Sequence, residues 1–286
     1  MAQNTKNGKT VTADDGKYSE YQPGKSWDTD EFVASNSPIT VPYKYAGLFL
    51  TYTMLVGFGL SIMLAIIFRF EETTYTHCRV ANYFPSTSAA IATTPSAYVW
   101  RLVICLCSLP RLLFVLYCYH FYINVSCQLR YYRGLCHLCF IAEMLENLSL
   151  IGLSCISSDD NYDIHEILFI SFQVGAMLHM ILMCIVFKMA TTRYDDVRSD
   201  TGIFKRKGAL QRKMFFCVMN ILAFLISIYF FFRHQNRCEP GVYSLFAIFE
   251  YLVVLTNVLF HEDTWKDFSN RCIIYGGRTH NKLMTE

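Results

Sequence analysis

The sequence predicts an all-α integral membrane protein, a bundle of six transmembrane helices with both termini in the cytosol. Three features carry this expectation. Apolar residues gather in six blocks of spanning length, basic residues crowd into alternate connecting segments, and ionisable residues within the blocks recur at helical spacing.

The blocks cover residues 46–68, 98–123, 135–155, 164–190, 214–232 and 242–261. A bilayer core about 30 Å thick needs about 20 apolar residues at about 1.5 Å rise each. The first block, Ala46 to Phe68, carries no ionisable side chain. Hydrophobic residues make up 53% of the chain, a high share for a water-soluble domain, and here they are concentrated in these runs.

Charge placement sets the expected topology. The N-terminal tail, the segments after the second and fourth blocks and the C-terminal tail hold 19 of the 25 Lys and Arg. The three intervening loops hold 4. Short basic loops stay in the cytosol, so the first group is expected inside and the three sparse loops in the lumen. The densest basic cluster is Lys205-Arg206-Lys207 with Arg212-Lys213 after the fourth block. Its simplest role is a topology determinant rather than recognition of a particular lipid.

The tail, residues 1–45, mixes Lys, Asp, Gly and Ser and is too poor in apolar residues to fold alone, so it is expected to be disordered. It shows neither a cleavable signal peptide nor, with Met1-Ala2, an N-myristoyl signal, so the first span would direct its own insertion. Residues 46–268 are expected as the transmembrane domain and 269–286 as a second cytosolic tail.

Of the twelve cysteines, most fall within spans or on the cytosolic side, where sulfur behaves as a small apolar group or stays reduced. Cys136-x-x-Cys139 lacks the second pair that a metal framework would need. Cys78 and Cys238 are the two in lumenal loops, enough for one disulfide.

Ionisable groups inside spans require partners or a wet cavity. Glu143, Glu146 and Asn147 share one face of the third helix, and Glu250, Asn257 and His261 one face of the sixth. At about 1.5 Å per residue, Glu146, Asn147, Gln173 and Glu250 lie about 12–14 Å below the lumenal surface. Glu143, Arg111, His179 and Asn257 lie deeper, about 18–22 Å down. Arg111 is the cation at that depth and a partner for Glu143 or Glu146. Such groups either lock the bundle through buried polar contacts or line a cavity that admits a lipid. The lumenal rim adds His77, Arg101, His165, Glu166, Arg233 and His234, with Asp159, Asp160 and Asp163 nearby. Gly-rich phosphate loops, G-x-S-x-G, H-E-x-x-H, and His followed five residues later by Asp do not occur in the sequence. Asn124-Val125-Ser126 is formally a glycosylation site, but the topology assigns it to the cytosol.

Two dense stretches are familiar. One runs from Glu72-Thr73-Thr74 through Thr76-His77-Cys78, Asn82-Tyr83, Pro85-Ser86 and Ser88-Ala89-Ala90-Ile91 to Tyr98-Val99-Trp100-Arg101. The other runs from Phe232-Arg233-His234 through Cys238-Glu239, Gly241-Val242-Tyr243, Glu250-Tyr251 and Asn257 to Phe260-His261, Trp265 and Asp267-Phe268. Between them lie Pro110-Arg111, Glu146-Asn147-Leu148, Ile164-His165-Glu166 and His179-Met180. With these motifs the chain resembles the Frag/DRAM-type family of six-span membrane proteins across residues 46–270.

The resemblance implies lipid remodelling of glycosylphosphatidylinositol (GPI) anchors. A lyso-GPI lipid or GPI-anchored protein would be reacylated with a saturated chain on the lumenal side of the membrane, mainly in the Golgi, with the endoplasmic reticulum as a second location. It leaves the acyl donor and the bond-forming residues open, and implies membrane lipids but no nucleic acid, cofactor or metal.

Acyl transfer needs a base for the attacking hydroxyl and donors for the developing oxyanion. His165 is the expected base, with Glu166 orienting it and His77 or His234 as second acid–base group. Arg101 and Arg233 would hold the inositol phosphate. Tyr243, Glu146, Asn147, Glu250 and Asn257 complete the expected lipid site. Two other classes compete: a non-catalytic scaffold that presents lyso-GPI or recruits a separate acyltransferase, and, less in keeping with few and nearly balanced buried charges, a channel or transporter.

The charge asymmetry makes the topology testable. A glycosylation acceptor introduced near residue 205 is expected to stay unmodified in microsomes, and its modification would overturn the orientation.

Overall fold

The computed structural model describes residues 39–125, 130–197 and 208–275. Most of the expected tails, Ser126, Cys127 and the cluster Lys205-Arg206-Lys207 lie outside these residues. The elements are β1 (Ile39–Pro42), α1 (Tyr43–Thr74), α2 (Thr87–Ala92), α3 (Ser96–Ile123), α4 (Tyr132–Cys155), α5 (Tyr162–Val197), α6 (Ala209–Arg237), α7 (Val242–Asp267) and β2 (Cys272–Tyr275). Six helices, all but the short α2, are long and apolar enough to cross a membrane.

Helix begins and ends beyond the apolar blocks because polarity does not stop a helix. Ala209-Leu210-Gln211-Arg212-Lys213 opens α6 with good helix formers, ahead of the block at 214. Lys213 is therefore helical and fully buried, not a loop residue. It is held by Asp263 at 3.0 Å and Asp267 at 2.7 Å, one turn apart on α7. Its positive charge bonds two helices together.

Of the expected tail, residues 39–45 are described, and they form β1 and the start of α1. β1 pairs antiparallel with β2, Ile39 opposite Tyr275 and Pro42 opposite Cys272. Both runs are short and rich in β-branched residues, and each finds its partner at the far end of the chain. No local pattern announces such a pairing.

The six long helices form a ring in chain order, α1 against α3, α3 against α4, and so on until α7 returns to α1. Its outer wall is apolar: Leu102, Leu106, Leu109 and Leu113 on α3 are all at least half exposed. Its interior holds buried polar groups, among them Glu143, Glu146, Gln173, His179, Asn220 and Asp263. A water-soluble bundle has the opposite distribution, whereas lipid is the solvent that makes this one stable. Asn220 of α6 ties to α7 through its Nδ2, which donates to Val253 O at 2.9 Å and Thr256 Oγ1 at 3.0 Å.

α4 and α5 approach closely at Gly175. A Cβ placed there would stand 2.9 Å from the backbone nitrogen of Glu146 and 3.1 Å from Ala142 O. Those neighbours are main chain and cannot swing aside. Gly175→Ala is expected to push the helices apart and lower stability by about 1–3 kcal/mol, the usual cost of overpacking. The thermal melt of the detergent-purified protein reads this directly.

Candidate functional site

Glu146 is the centre of the buried polar groups. Its side chain is fully enclosed. Oε1 accepts hydrogen bonds from Asn257 Nδ2 at 2.9 Å and His261 Nε2 at 2.8 Å, with Arg111 Nη2 at 3.5 Å. Oε2 faces His179 Nδ1 at 3.1 Å. One carboxylate thereby connects α3, α4, α5 and α7. The polar faces read from the third and sixth spans do meet, and Arg111 selects Glu146. It follows Pro110, which cannot donate to the carbonyl one turn earlier. Asn147 instead turns back along its own helix to Glu143 O at 2.8 Å.

On the side of this centre toward the 75–95 loop lies a cavity of about 780 Å³, part of it open to the surroundings. Ile91, Trp100, Leu153, Phe169, Phe172 and Phe224 give it an apolar wall. Arg111 and Asn257 form its polar floor, and Ser88, His165, Gln173 and Glu250 also face it. Such a space, apolar with a few convergent polar groups, suits a lipid chain with its ester. Gln173 Nε2 is buried and makes no hydrogen bond, so the cavity wall carries a spare amide donor.

The chemistry-bearing pair is His165 and Ser88. His165 is buried, and its Nδ1 lies 2.8 Å from Ile156 O. A carbonyl only accepts, so Nδ1 carries the proton. In the neutral ring Nε2 is then the acceptor, and Ser88 Oγ stands 3.0 Å from it. Ser88 sits on α2, whose N-terminus Ser86 caps through Ala89 N at 3.2 Å. Glu250 accepts from Thr87 N at 2.7 Å and pins α2 to α7.

This geometry corrects the expected roles. Glu166 is exposed and does not orient His165, because successive helical side chains point about 100° apart. The Ile156 carbonyl does that instead. His77 and His234 do not line the cavity. They stand beside the disulfide that joins Cys78 and Cys238, with ring centroids 5.8 Å apart, and His234 Nε2 meets Thr76 Oγ1 at 3.1 Å. Tyr243 packs on His234 at 5.1 Å.

Arg233 is already held by Glu239, at 2.8 Å from Nε and 2.7 Å from Nη2. Arg101 donates to Ser154 O at 3.1 Å and reaches Asp160 at 3.4 Å. The Ser157 hydroxyl and amide hold the Asp160 carboxyl below the usual carboxylate range, so it is ionised at neutral pH. Ser88 stood in the sequence only as one residue of a familiar stretch. Nothing local marked it, since its partner lies 77 residues away.

Fold and site together define a multi-pass membrane protein with polar side chains converging on an apolar internal cavity. The sequence profile described as the Frag1/DRAM/Sfk1/Cwh43P N-terminal domain matches residues 42–271, and the chain belongs to that family. It is 38% identical to acyltransferase PGAP2 of Xenopus tropicalis, over 76% of this chain and 84% of that one. It is 32% identical to post-GPI attachment to proteins factor 2 of Caenorhabditis elegans, over 87% and 95% of the two chains. The factor of that name in Drosophila melanogaster is 34% identical over 80% and 86%. No solved structure matches the chain.

Removing the central carboxylate leaves Arg111 buried without its counter-charge. Glu146→Ala is therefore expected to destabilise the bundle by about 3–5 kcal/mol. Loss of the monodisperse peak in fluorescence-detected gel filtration, at unchanged transcript level, would report it.

Proposed function

We propose that this protein transfers a saturated acyl chain to the free hydroxyl of lyso-GPI, at the lumenal face of the Golgi membrane. The relatives' names, acyltransferase and post-GPI attachment factor, support the reaction and the substrate class. The observation that carries the reading is the Ser88–His165 pair on the wall of an apolar cavity, with the histidine tautomer fixed by a backbone carbonyl.

Nucleophile, base and orienting acceptor stand in the relation that acyl transfer requires. In the first half-reaction Ser88 Oγ attacks the carbonyl of a fatty-acyl ester or thioester and gives its proton to His165 Nε2. The leaving group departs with that proton, and the chain is left as an ester on Ser88. In the second, the lyso-lipid hydroxyl gives its proton to His165 and attacks that ester. Ser88 leaves as the alkoxide and recovers the proton. The unpaired Gln173 amide is the donor available to the oxyanion.

Arg101 is the guanidinium for the inositol phosphate. It bonds the turn at Asp160, which begins just after the carbonyl that orients His165, and its long, exposed pair with Asp160 is easily exchanged for a phosphate. Arg233, doubly held by Glu239, is less free to turn.

Reconstituted protein supplied with lyso-GPI and a labelled saturated donor tests the reading. His165→Ala is expected to slow transfer on the order of 100- to 10,000-fold at normal abundance. Ser88→Ala should abolish the labelled acyl-protein seen by mass spectrometry, while Glu166→Ala leaves the rate close to wild type. Arg101→Ala should raise KM more than it lowers kcat. Full turnover in both His165→Ala and Ser88→Ala would overturn this pair as the catalytic machinery, and no turnover by the reconstituted wild-type protein would make the scaffold the correct reading.

A further inference from the structure

Behind the cavity floor, Glu143 of α4, His179 of α5 and His261 of α7 each offer one donor atom within 4.8 Å of the other two. All three side chains are buried, His179 completely. We propose that they bind one divalent first-row transition-metal ion, of the zinc class, in the middle of the bundle.

The arrangement of Glu146 is the first argument. It engages one nitrogen on each ring, His179 Nδ1 at 3.1 Å and His261 Nε2 at 2.8 Å. Metal-ligating histidines characteristically donate one N–H to a carboxylate, which fixes the tautomer and turns the other nitrogen's lone pair toward the ion. Here a single carboxylate performs that orienting role for two histidines, and a second carboxylate, Glu143, completes the donor set.

The second argument is an orphan atom. His179 Nε2 is buried and makes no hydrogen bond, yet Glu143 Oε2 lies 3.6 Å from it. With Nδ1 donating to Glu146, the neutral ring turns the Nε2 lone pair toward a carboxylate oxygen in the buried interior. The two repel unless a positive charge lies between them. Donors about 2.0–2.2 Å from a shared tetrahedral ion stand about 3.4 Å apart, close to the spacing observed.

Charge gives the third argument. The cluster holds two carboxylates, Glu143 and Glu146, and one guanidinium, Arg111, which sits 3.5 Å from Glu146 and 3.3 Å from His261 Nε2. With neutral imidazoles the cluster keeps one negative charge in a low-dielectric interior, a strong attraction for a cation. Two nitrogens and a carboxylate oxygen suit zinc, iron or cobalt better than magnesium or calcium. The sequence shows no metal motif because the three donors come from three helices, so no fixed spacing links them.

The test is metal content and binding in the full chain, purified in detergent without chelator. Elemental analysis is expected to find about one transition-metal ion per protein. Stripping should lower Tm, and zinc should restore it. Cobalt added to stripped protein should give a visible d–d band that zinc displaces. The band is expected to vanish in His261→Gln and Glu143→Gln, whose polar amides keep the site filled, and to persist in Cys136→Ser. Stripped wild-type protein that stays monodisperse but takes up neither cobalt nor zinc overturns the proposal. So does a cobalt band that survives both glutamine variants.

Discussion

Four of the six spanning helices owe their relative positions to one side chain. Glu146 carries a full negative charge into a region where lipid solvates nothing, and the bundle surrounds it with Arg111, His179, Asn257 and His261. In water such contacts would be worth little net of desolvation. Between helices in a bilayer, the alternative is a carboxylate in hydrocarbon, so the pairing constrains which helices lie together. Gly175 serves the same end: without a side chain, it lets α5 touch the backbone of α4 at Glu146 and brings His179 within bonding distance. Lys213 with Asp263 and Asp267 repeats the principle near the strand pair, between α6 and α7.

The opposite end is closed by the connection between α1 and α3. This segment is stitched down by contacts that each join it to α7 or to the turn between α6 and α7. Cys78 is bonded to Cys238, Gly241 N donates to Ala81 O at 2.9 Å, Ser244 Oγ accepts from Tyr83 N at 2.7 Å, and Tyr251 donates to Pro85 O. Glu250 then receives Thr87 N, so α2 and Ser88 are delivered to the cavity wall in a fixed orientation. A residue of the short α2 acquires the positional precision of a spanning helix because its neighbours over-determine it. The same stitching explains why His77 and His234 sit beside the disulfide. Their surroundings belong to the closure of the bundle, while the cavity's polar groups come from farther down the helices.

The polar interior thus divides into two levels with different chemistry. The upper one, Ser88, His165, Gln173 and Glu250, borders a largely apolar space. The lower one, around Glu146, is tightly bonded and shares only Arg111 and Asn257 with that space. Helical spacing alone is compatible with such residues either locking the bundle or lining a cavity. The structure assigns the roles by level: Glu146 locks, Glu250 lines, and Arg111 does both.

The sequence alone determined the six spans, because about 20 apolar residues in a row have one stable solution in a bilayer and their pattern is entirely local. It also determined that Glu143 with Glu146, and Glu250 with Asn257, face the same way, since helical periodicity fixes side-chain direction within one element. It could not determine which carboxylate takes Arg111, what orients His165, or that Ile39–Pro42 pairs with Cys272–Tyr275. Glu166 is the clearest case: adjacent in sequence, it looked like the orienting group, yet helical rotation carries it to the exposed face. Ser88 and the Ile156 carbonyl reach the two nitrogens of His165 from opposite sides, one across 77 residues and one across nine. Partnerships of that kind follow from how helices pack around the ring, and only the tertiary structure decides them.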